Sequence, residues 1–429
     1  MLTRLKKIFL LFGDLIVLHI SLMLTLIIRY NGENLSYLWL KHWPSFIIIF
    51  FIWIIIFYIY NLYNLILAAD KIKFNQLALN AILTSSLVST TFFYLNPQTQ
   101  ITPKTNLFLF IIISILFFIL WRKFFNSLLQ TYLPKNNLLL IANKNKVKKL
   151  INYIQEKKHL GFNTALVLEN LTSSKELEEI IKSKNIHTIV LDPKHEEAEE
   201  FRKILFKCLP YKLIFTDLAS FYEKITGKVS IETINHTWFL ENFNEGEKKY
   251  FNHIKRIYDL VMAFVLLIIT FILWPIIALA IVVDSNSPVF YKQKRMGKNG
   301  IIFNIIKFRT MKNDKITKVG HFLRKTRLDE LPQLLNIIQG KMSFIGPRPE
   351  QPQIVEKLKE QIPFYQERLL IKPGLSGWDQ ISENYHSASY KDSFDKLQYD
   401  LFYIKNRSIY LDISISLKTI ATILRRKGK

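Results

Sequence analysis

Cysteine is almost absent: Cys208 stands alone among 429 residues. No internal disulfide can form, which agrees with a reducing compartment for the soluble parts. Acidic residues are also scarce. The 34 Asp and Glu are set against 58 Lys and Arg, a formal net charge of +24. Such an excess asks for an anionic partner: nucleic acid, anionic lipid or a phosphorylated substrate. No nucleic-acid module is recognisable, so no nucleic-acid partner is expected. Most lysines lie scattered over helical segments as solvated surface. Glycine is sparse too, with 13 in the chain and no G-x-G-x-x-G run among them.

Long apolar runs are what the chain does have. Four open it, at Phe9–Ile28, Phe46–Tyr63, Leu77–Leu95 and Leu107–Trp121. Each approaches the ~20 residues that cross a bilayer, so residues 1–130 read as four transmembrane helices. Arg4, Lys6 and Lys7 before the first run invite a signal-peptide reading. No small-residue cleavage site follows, and three more spans do, which argues against it. Lys and Arg at the N-terminus, at 70–73 and after Trp121 place both ends of the bundle in the cytoplasm. Asp14 lies near the cytoplasmic end of the first span, where simple exposure is expected.

From 136 to 241 the pattern changes. NNLLLIA reads as a buried strand, KVKKLINYIQEKK as a helix, and TALVL, HTIVL and YKLIF as further strands with helices between. That alternation predicts a parallel α/β sheet of Rossmann type. At the first strand-to-helix turn the chain reads IANKNKVKK. Without glycines there the backbone cannot approach a pyrophosphate, so the domain is degenerate and binds no dinucleotide.

A fifth apolar run covers Leu260–Val283 and contains Pro275. Lys255 and Arg256 precede it, and Lys292, Lys294 and Arg295 follow. A straight span would put one basic cluster, and all of 285–429, outside. A helix over 254–284 that enters, bends at Trp274-Pro275 and returns keeps both clusters in the cytoplasm.

SPVFYKQKRMGKNGIIFNIIKFRTM comes next. Gly297 and Gly300 suit a hairpin turn, and the following strand places Phe303, Ile305, Lys307 and Arg309 on one face. Two cations on one strand face can meet two phosphate oxygens, or can simply face water. Arg324, Arg327, Asp329 and Glu330 then fall within seven residues, and Arg348 sits between Pro347 and Pro349. Two readings compete. In one, Asp329 is an N-cap of a surface helix with Pro332 in its first turn and Gly340 at its end. In the other, the segment is a phosphoryl-transfer site. One carboxylate would attack phosphorus while its neighbour holds Mg²⁺, which takes one or two carboxylates together with substrate phosphates. Arginines would bind phosphate oxygens bidentately, and the flanking prolines would aim Arg348.

The ordered set SPVFYKQKRMGKNG, IIKFRTM, FLRKTRLDELPQLLNIIQGKMSFIGPRPE, KPGLSGW and YDLFYIKN resembles the bacterial sugar transferases, the monotopic polyprenyl-phosphate phosphoglycosyl transferases. The front half is similar to the large members, which carry four spans and a degenerate Rossmann-like domain. The resemblance implies a membrane protein of mixed fold. Its parts would be a four-helix bundle, a degenerate Rossmann-like domain over 136–241, and a mostly helical cytoplasmic catalytic domain over 250–429 with the re-entrant helix. It implies that Asp329 attacks the β-phosphate of a UDP-sugar, releasing UMP, and that the bound sugar phosphate passes to polyprenyl phosphate. Glu330 matches the Mg²⁺ carboxylate. Lys307, Arg324 and Arg348 match phosphate-binding cations, and Pro275 matches the proline that breaks the membrane helix. The setting would be the bacterial inner membrane, at the start of surface-glycan assembly, with the front half a candidate homodimer surface. One departure stands at 379–386: Glu383 and Asn384 replace a small and a basic residue of the family's Q-V-x-G-R. A competing reading, from the residues alone, is a non-catalytic membrane scaffold. At the C-terminus, Ile413, Leu417, Ile420 and Leu424 share one helical stripe. It would lie on an anionic membrane face or pack on the catalytic core.

Overall fold

A computed structural model of the chain describes all residues except 1, 64–70, 97–102, 133–135, 158–159, 170–173, 193–202, 204, 212, 244–245, 247, 383–388 and 425–429. The departure at Glu383 and Asn384 and the last five residues, with their cations, therefore lie outside the described residues. Two compact units are present, Met1–Leu138 with Ile151–Ala165, and Leu139–Leu150 with Leu166–Lys429.

The first unit holds four helices: α1 (Leu2–Tyr30), α2 (Leu35–Ile59), α3 (Lys71–Leu95) and α4 (Pro103–Tyr132). All four are long and apolar enough to cross a membrane. Their shared core is aromatic. Phe46, Phe50, Trp53 and Phe57 of α2 pack with Phe110 and Phe118 of α4. Gly13 is required by this packing, since a Cβ there would lie 1.9 Å from the Trp121 ring.

Asp14 corrects the sequence expectation. It is 1% exposed, not solvated. Its Oδ2 accepts from Arg122 Nη2 of α4 at 2.6 Å. Arg122 also donates to the Leu62 carbonyl at 3.0 Å and stands 4.7 Å over the Phe118 ring. A carboxylate inside an apolar bundle is tolerated when a cation neutralises it. The partner lies 108 positions away in sequence, out of reach of any local reading.

The α/β region forms a four-stranded sheet of order β2-β1-β3-β4, with β1 at Asn136–Ile141, β2 at Phe162–Leu168, β3 at Thr188–Leu191 and β4 at Ile214–Asp217. Strands β3 and β4 run parallel. Helices α5 (Lys144–Glu156) and α6 (Ser174–Ser183) alternate with the strands as the pattern requires. At the glycine-free turn the amide of Lys144 donates to Glu169 Oε1 and that of Asn145 to Asn143 Oδ1. Side-chain oxygens thus take amides that a nucleotide-binding turn would offer to phosphate.

The remaining elements are mostly helical. Helices Lys249–Phe271 and Leu273–Ser285 are bent by 59° at their junction. The cause is local: Pro275 has no N–H to give the carbonyl of Phe271, and its ring crowds that carbonyl. Two cations that frame the apolar run turn inward. Lys255 pairs with Asp412 at 2.5 Å. Arg256 donates to the carbonyls of Ile337 and Ile338, at the end of helix Gln333–Ile338. The C-terminal helix Ile409–Leu424 packs through Asp412, Ile415 and Ala421. Of the apolar stripe, Ile413 and Ile420 remain exposed, as does the neighbouring Tyr410, while Leu417 is half-buried.

Candidate active site

The antiparallel hairpin of β5 (Phe290–Met296) and β6 (Ile302–Phe308) supplies the first cation. Its turn uses Asn299 and Gly300, both at positive φ. On β6, Phe303 and Ile305 are buried and Lys307 follows on the same side, as the alternation predicts. The register sets Arg295 opposite Phe303 and Tyr291 opposite Lys307. Arg295 therefore shares the face of Lys307, a consequence of the hairpin that the sequence reading left unused.

Helix Lys318–Thr326 is capped by Thr317, whose hydroxyl accepts from Gly320 N, and carries Arg324. It stops at Arg327, which adopts φ 59°. An arginine in the left-handed region costs about 1–2 kcal/mol, and such strain collects at working sites. The reversal leads into a tight turn, Leu328–Glu330, which carries both carboxylates. Helix Gln333–Ile338 starts only afterwards, and Gly340 ends it at φ 76°.

This arrangement disposes of the N-cap reading. Pro332 occupies the cap position, with no side-chain capping bond. Asp329 is 8% exposed, and its Oδ1 is buried without a hydrogen-bond partner. Burial pushes its carboxyl up to about 6, with the neighbouring Glu330 charge adding; Lys307, Arg327 and Arg324 oppose the rise.

Glu330 is treated oppositely. Its Oε1 accepts from Lys307 Nζ at 3.1 Å and lies 3.7 Å from Arg327 and 3.8 Å from Arg348. Burial alone would raise this carboxyl, but the charges of Lys307, Arg348 and Arg327 outweigh it and hold it below its usual range. Adjacent carboxylates with pKa values pushed apart are fitted to different tasks.

Of the cations expected here, Lys307 and Arg348 meet Glu330, while Arg324 lies near Asp329 and donates to Thr310 Oγ1 at 2.9 Å. Arg309 turns elsewhere. Its Nη2 donates to Ser285 and to the carbonyl of Asn286, at the end of helix Leu273–Ser285. β6 ends at Phe308, so the alternation no longer fixes the direction of Arg309.

A small cavity is walled by Arg295, Lys307, Glu330, Gln333 and Arg348, and Asp329 is not among its walls. Gln333, 3% exposed, was missed in the sequence. Its spacing of three from Glu330 on a helical path was the available signal.

Among the described residues no group of three or more His, Cys, Asp and Glu is placed to hold a metal. The site offers two carboxylates, one with an unpartnered buried oxygen. These are hard oxygen donors, and they fit an ion such as Mg²⁺ that takes few protein ligands and completes its shell with substrate phosphates. Two carboxylates against Lys307, Arg324, Arg327 and Arg348 leave an excess of positive charge suited to a diphosphate.

The bacterial sugar transferase family profile matches residues 250–426. A UDP-N-acetylgalactosamine-undecaprenyl-phosphate N-acetylgalactosaminephosphotransferase of Aeromonas hydrophila is 34% identical over 255 residues, 56% of this chain and 59% of that protein. An uncharacterized sugar transferase, EpsL, of Bacillus subtilis is 34% identical over 191 residues, 41% of this chain and 89% of that protein. A UDP-glucose:undecaprenyl-phosphate glucose-1-phosphate transferase of Xanthomonas campestris pv. campestris is 28% identical over 345 residues, 72% of this chain and 70% of that protein. That last alignment is too long to be confined to 250–426, so it reaches into the front half.

Proposed function

The chain belongs to the bacterial sugar transferase family, and from that premise we propose that it moves a sugar 1-phosphate from a UDP-sugar to polyprenyl phosphate. The observation that carries this reading is Asp329: a buried carboxylate with an unpartnered oxygen, beside a second carboxylate already neutralised by cations.

In the first step an Asp329 oxygen attacks the β-phosphorus, an acyl phosphate forms, and the bond to the UMP oxygen breaks. UMP leaves with the electron pair. In the second step a phosphate oxygen of the polyprenyl phosphate attacks the same phosphorus and Asp329 is released. Lys307, Arg324 and Arg348 hold phosphate oxygens against the charge that builds as the bonds exchange. Glu330, with substrate oxygens, would hold Mg²⁺, which offsets repulsion between the anions. Burial keeps water from the carboxylate and preserves its nucleophilicity.

The reaction requires access to a lipid acceptor. The bent pair Lys249–Phe271 and Leu273–Ser285 supports a re-entrant helix that returns to the face it entered, with Lys292 and Lys294 on the same cytoplasmic side as Lys255. The exposed Tyr410, Ile413 and Ile420 then rest on the membrane surface. The setting is the bacterial inner membrane, at the first lipid-linked step of surface-glycan assembly.

The test supplies the purified chain with Mg²⁺ and a panel of UDP-sugars, with and without polyprenyl phosphate. One sugar should give catalytic UMP release with acceptor. Without acceptor it should give about one UMP per site, with the sugar phosphate retained on Asp329 in intact-mass spectra. Turnover without any adduct would replace the two-step scheme with direct transfer, and no UMP from any sugar would overturn the reading.

A further inference from the structure

We infer that Arg368 is a positioning residue for Arg348, an inference that rests on the transferase reading above. Four successive carbonyls of the loop around Arg348 are all fastened. Pro347 O accepts from Gly374 N at 2.9 Å and Glu350 O from Met296 N at 2.9 Å. Arg348 O accepts from Arg368 Nη2 at 3.0 Å, and Pro349 O from Arg295 Nη1 at 3.1 Å. Pro347 and Pro349 lock φ on either side, so the carbonyl bonds remove most of the freedom that is left. From this fastened backbone the Arg348 guanidinium reaches to within 3.8 Å of Glu330.

Arg368 is the buried member of this clamp. It is 4% exposed, pairs with Asp400 at 2.8 Å and donates to Tyr365 Oη at 2.7 Å. It does not line the cavity with Lys307 and Glu330; it lines an adjacent one with Pro347, Arg348 and Pro349, and its hydrogen bond to the Arg348 carbonyl links it to the site. A buried guanidinium is costly to desolvate, and a packed apolar side chain of similar volume often serves stability as well or better. Its place at the back of a phosphate-binding arginine gives the ion pair a use that stability alone does not. Tyr365 holds the guanidinium by a hydrogen bond and Asp400 by its charge, the guanidinium holds the Arg348 carbonyl, and the carbonyl sets where the Arg348 side chain starts.

A double-mutant cycle tests this, with Arg368→Met, Arg348→Ala and the double variant, reading UMP release over a range of UDP-sugar concentrations at fixed polyprenyl phosphate. Arg368→Met should lose at least about tenfold in kcat/KM when Arg348 is present and less than about twofold when it is replaced. Equal losses in both backgrounds would mean that Arg368 supports the fold generally, and would overturn the inference. Tyr365→Phe, which removes one partner of Arg368 and keeps the ring, provides a second cycle should Arg368→Met not fold. It should show a smaller loss with the same dependence on Arg348, and a loss independent of Arg348 would again overturn the inference. Failure of the transferase reading is distinct: the unmodified protein would then release no UMP in any arm.

Discussion

Replacing Asp329 by asparagine should stabilise the protein while abolishing its turnover. The carboxyl is raised from an ordinary value of 3.8 to about 6, first by burial and then by the charge of Glu330. A raised acid favours the protonated form in the folded state. Its stability contribution is therefore complete below the unfolded pKa and is lost as pH rises through about 6. The full difference corresponds to about 3 kcal/mol at pH 8. Relaxation around the site would reduce it, so a gain of about 1–3 kcal/mol is expected from a neutral isostere. At about 2–4 °C per kcal/mol for a unit of this size, the thermal midpoint of the variant should lie several degrees above that of the parent at pH 8. The difference should shrink between pH 6 and pH 4 as the parent carboxyl protonates. Thermal unfolding in detergent at three pH values measures it, and UMP release gives the second readout, which should fall to background. A capping aspartate behaves otherwise: asparagine caps about as well, so neither stability nor activity would change much. An Asp329→Asn protein that still turns over, or that is less stable at pH 8, refutes the account of a buried nucleophile with an unpartnered oxygen.

The pH profile of kcat/KM should rise through about pH 6 as Asp329 ionises; a profile flat from pH 5 to 8 counts against its role. Glu330→Gln should act on stability with the opposite sign. Lys307, Arg327 and Arg348 lose their shared anion, and because all three are partly exposed the cost should be about 1–2 kcal/mol rather than the full buried-pair value. Turnover should collapse with it, and a thermal midpoint above the parent's would contradict the charge assignment. Asp14→Ala should strand Arg122 in the bundle at about 3–5 kcal/mol, while Asp14→Leu with Arg122→Leu should recover most of the loss. Thermal scans of the three proteins decide whether the pair or its parts matter. Cysteines placed at 250 and 292, with Cys208 replaced, should resist impermeant thiol reagents in intact cells; labelling at 292 alone means a true span.

The sequence determined those features that depend on periodicity and on covalent geometry. Apolar runs near membrane length became α1 to α4 because a single segment can satisfy its own backbone groups in hydrocarbon only as a helix. Pro275 broke its helix because a missing N–H acts on the residue four before it, wherever the chain lies. The strand alternation brought Lys307 to the face of Phe303 and Ile305 but stopped predicting at Phe308, and Arg309 went to a helix end instead. Tertiary structure decided the rest through partners distant in sequence. Asp14 looked exposed until Arg122 arrived from α4. The surroundings of the two adjacent carboxylates could not be told apart until Lys307 and Arg348, from a hairpin and a proline-bound loop, converged on Glu330 and left Asp329 Oδ1 buried without a hydrogen bond. The electrostatic difference between neighbouring groups falls off with distance in space, and separation along the chain does not enter it. That is why Asp329 and Glu330 could be picked out from the sequence, and given separate roles by resemblance, while the different electrostatic surroundings of the two had to wait for the fold.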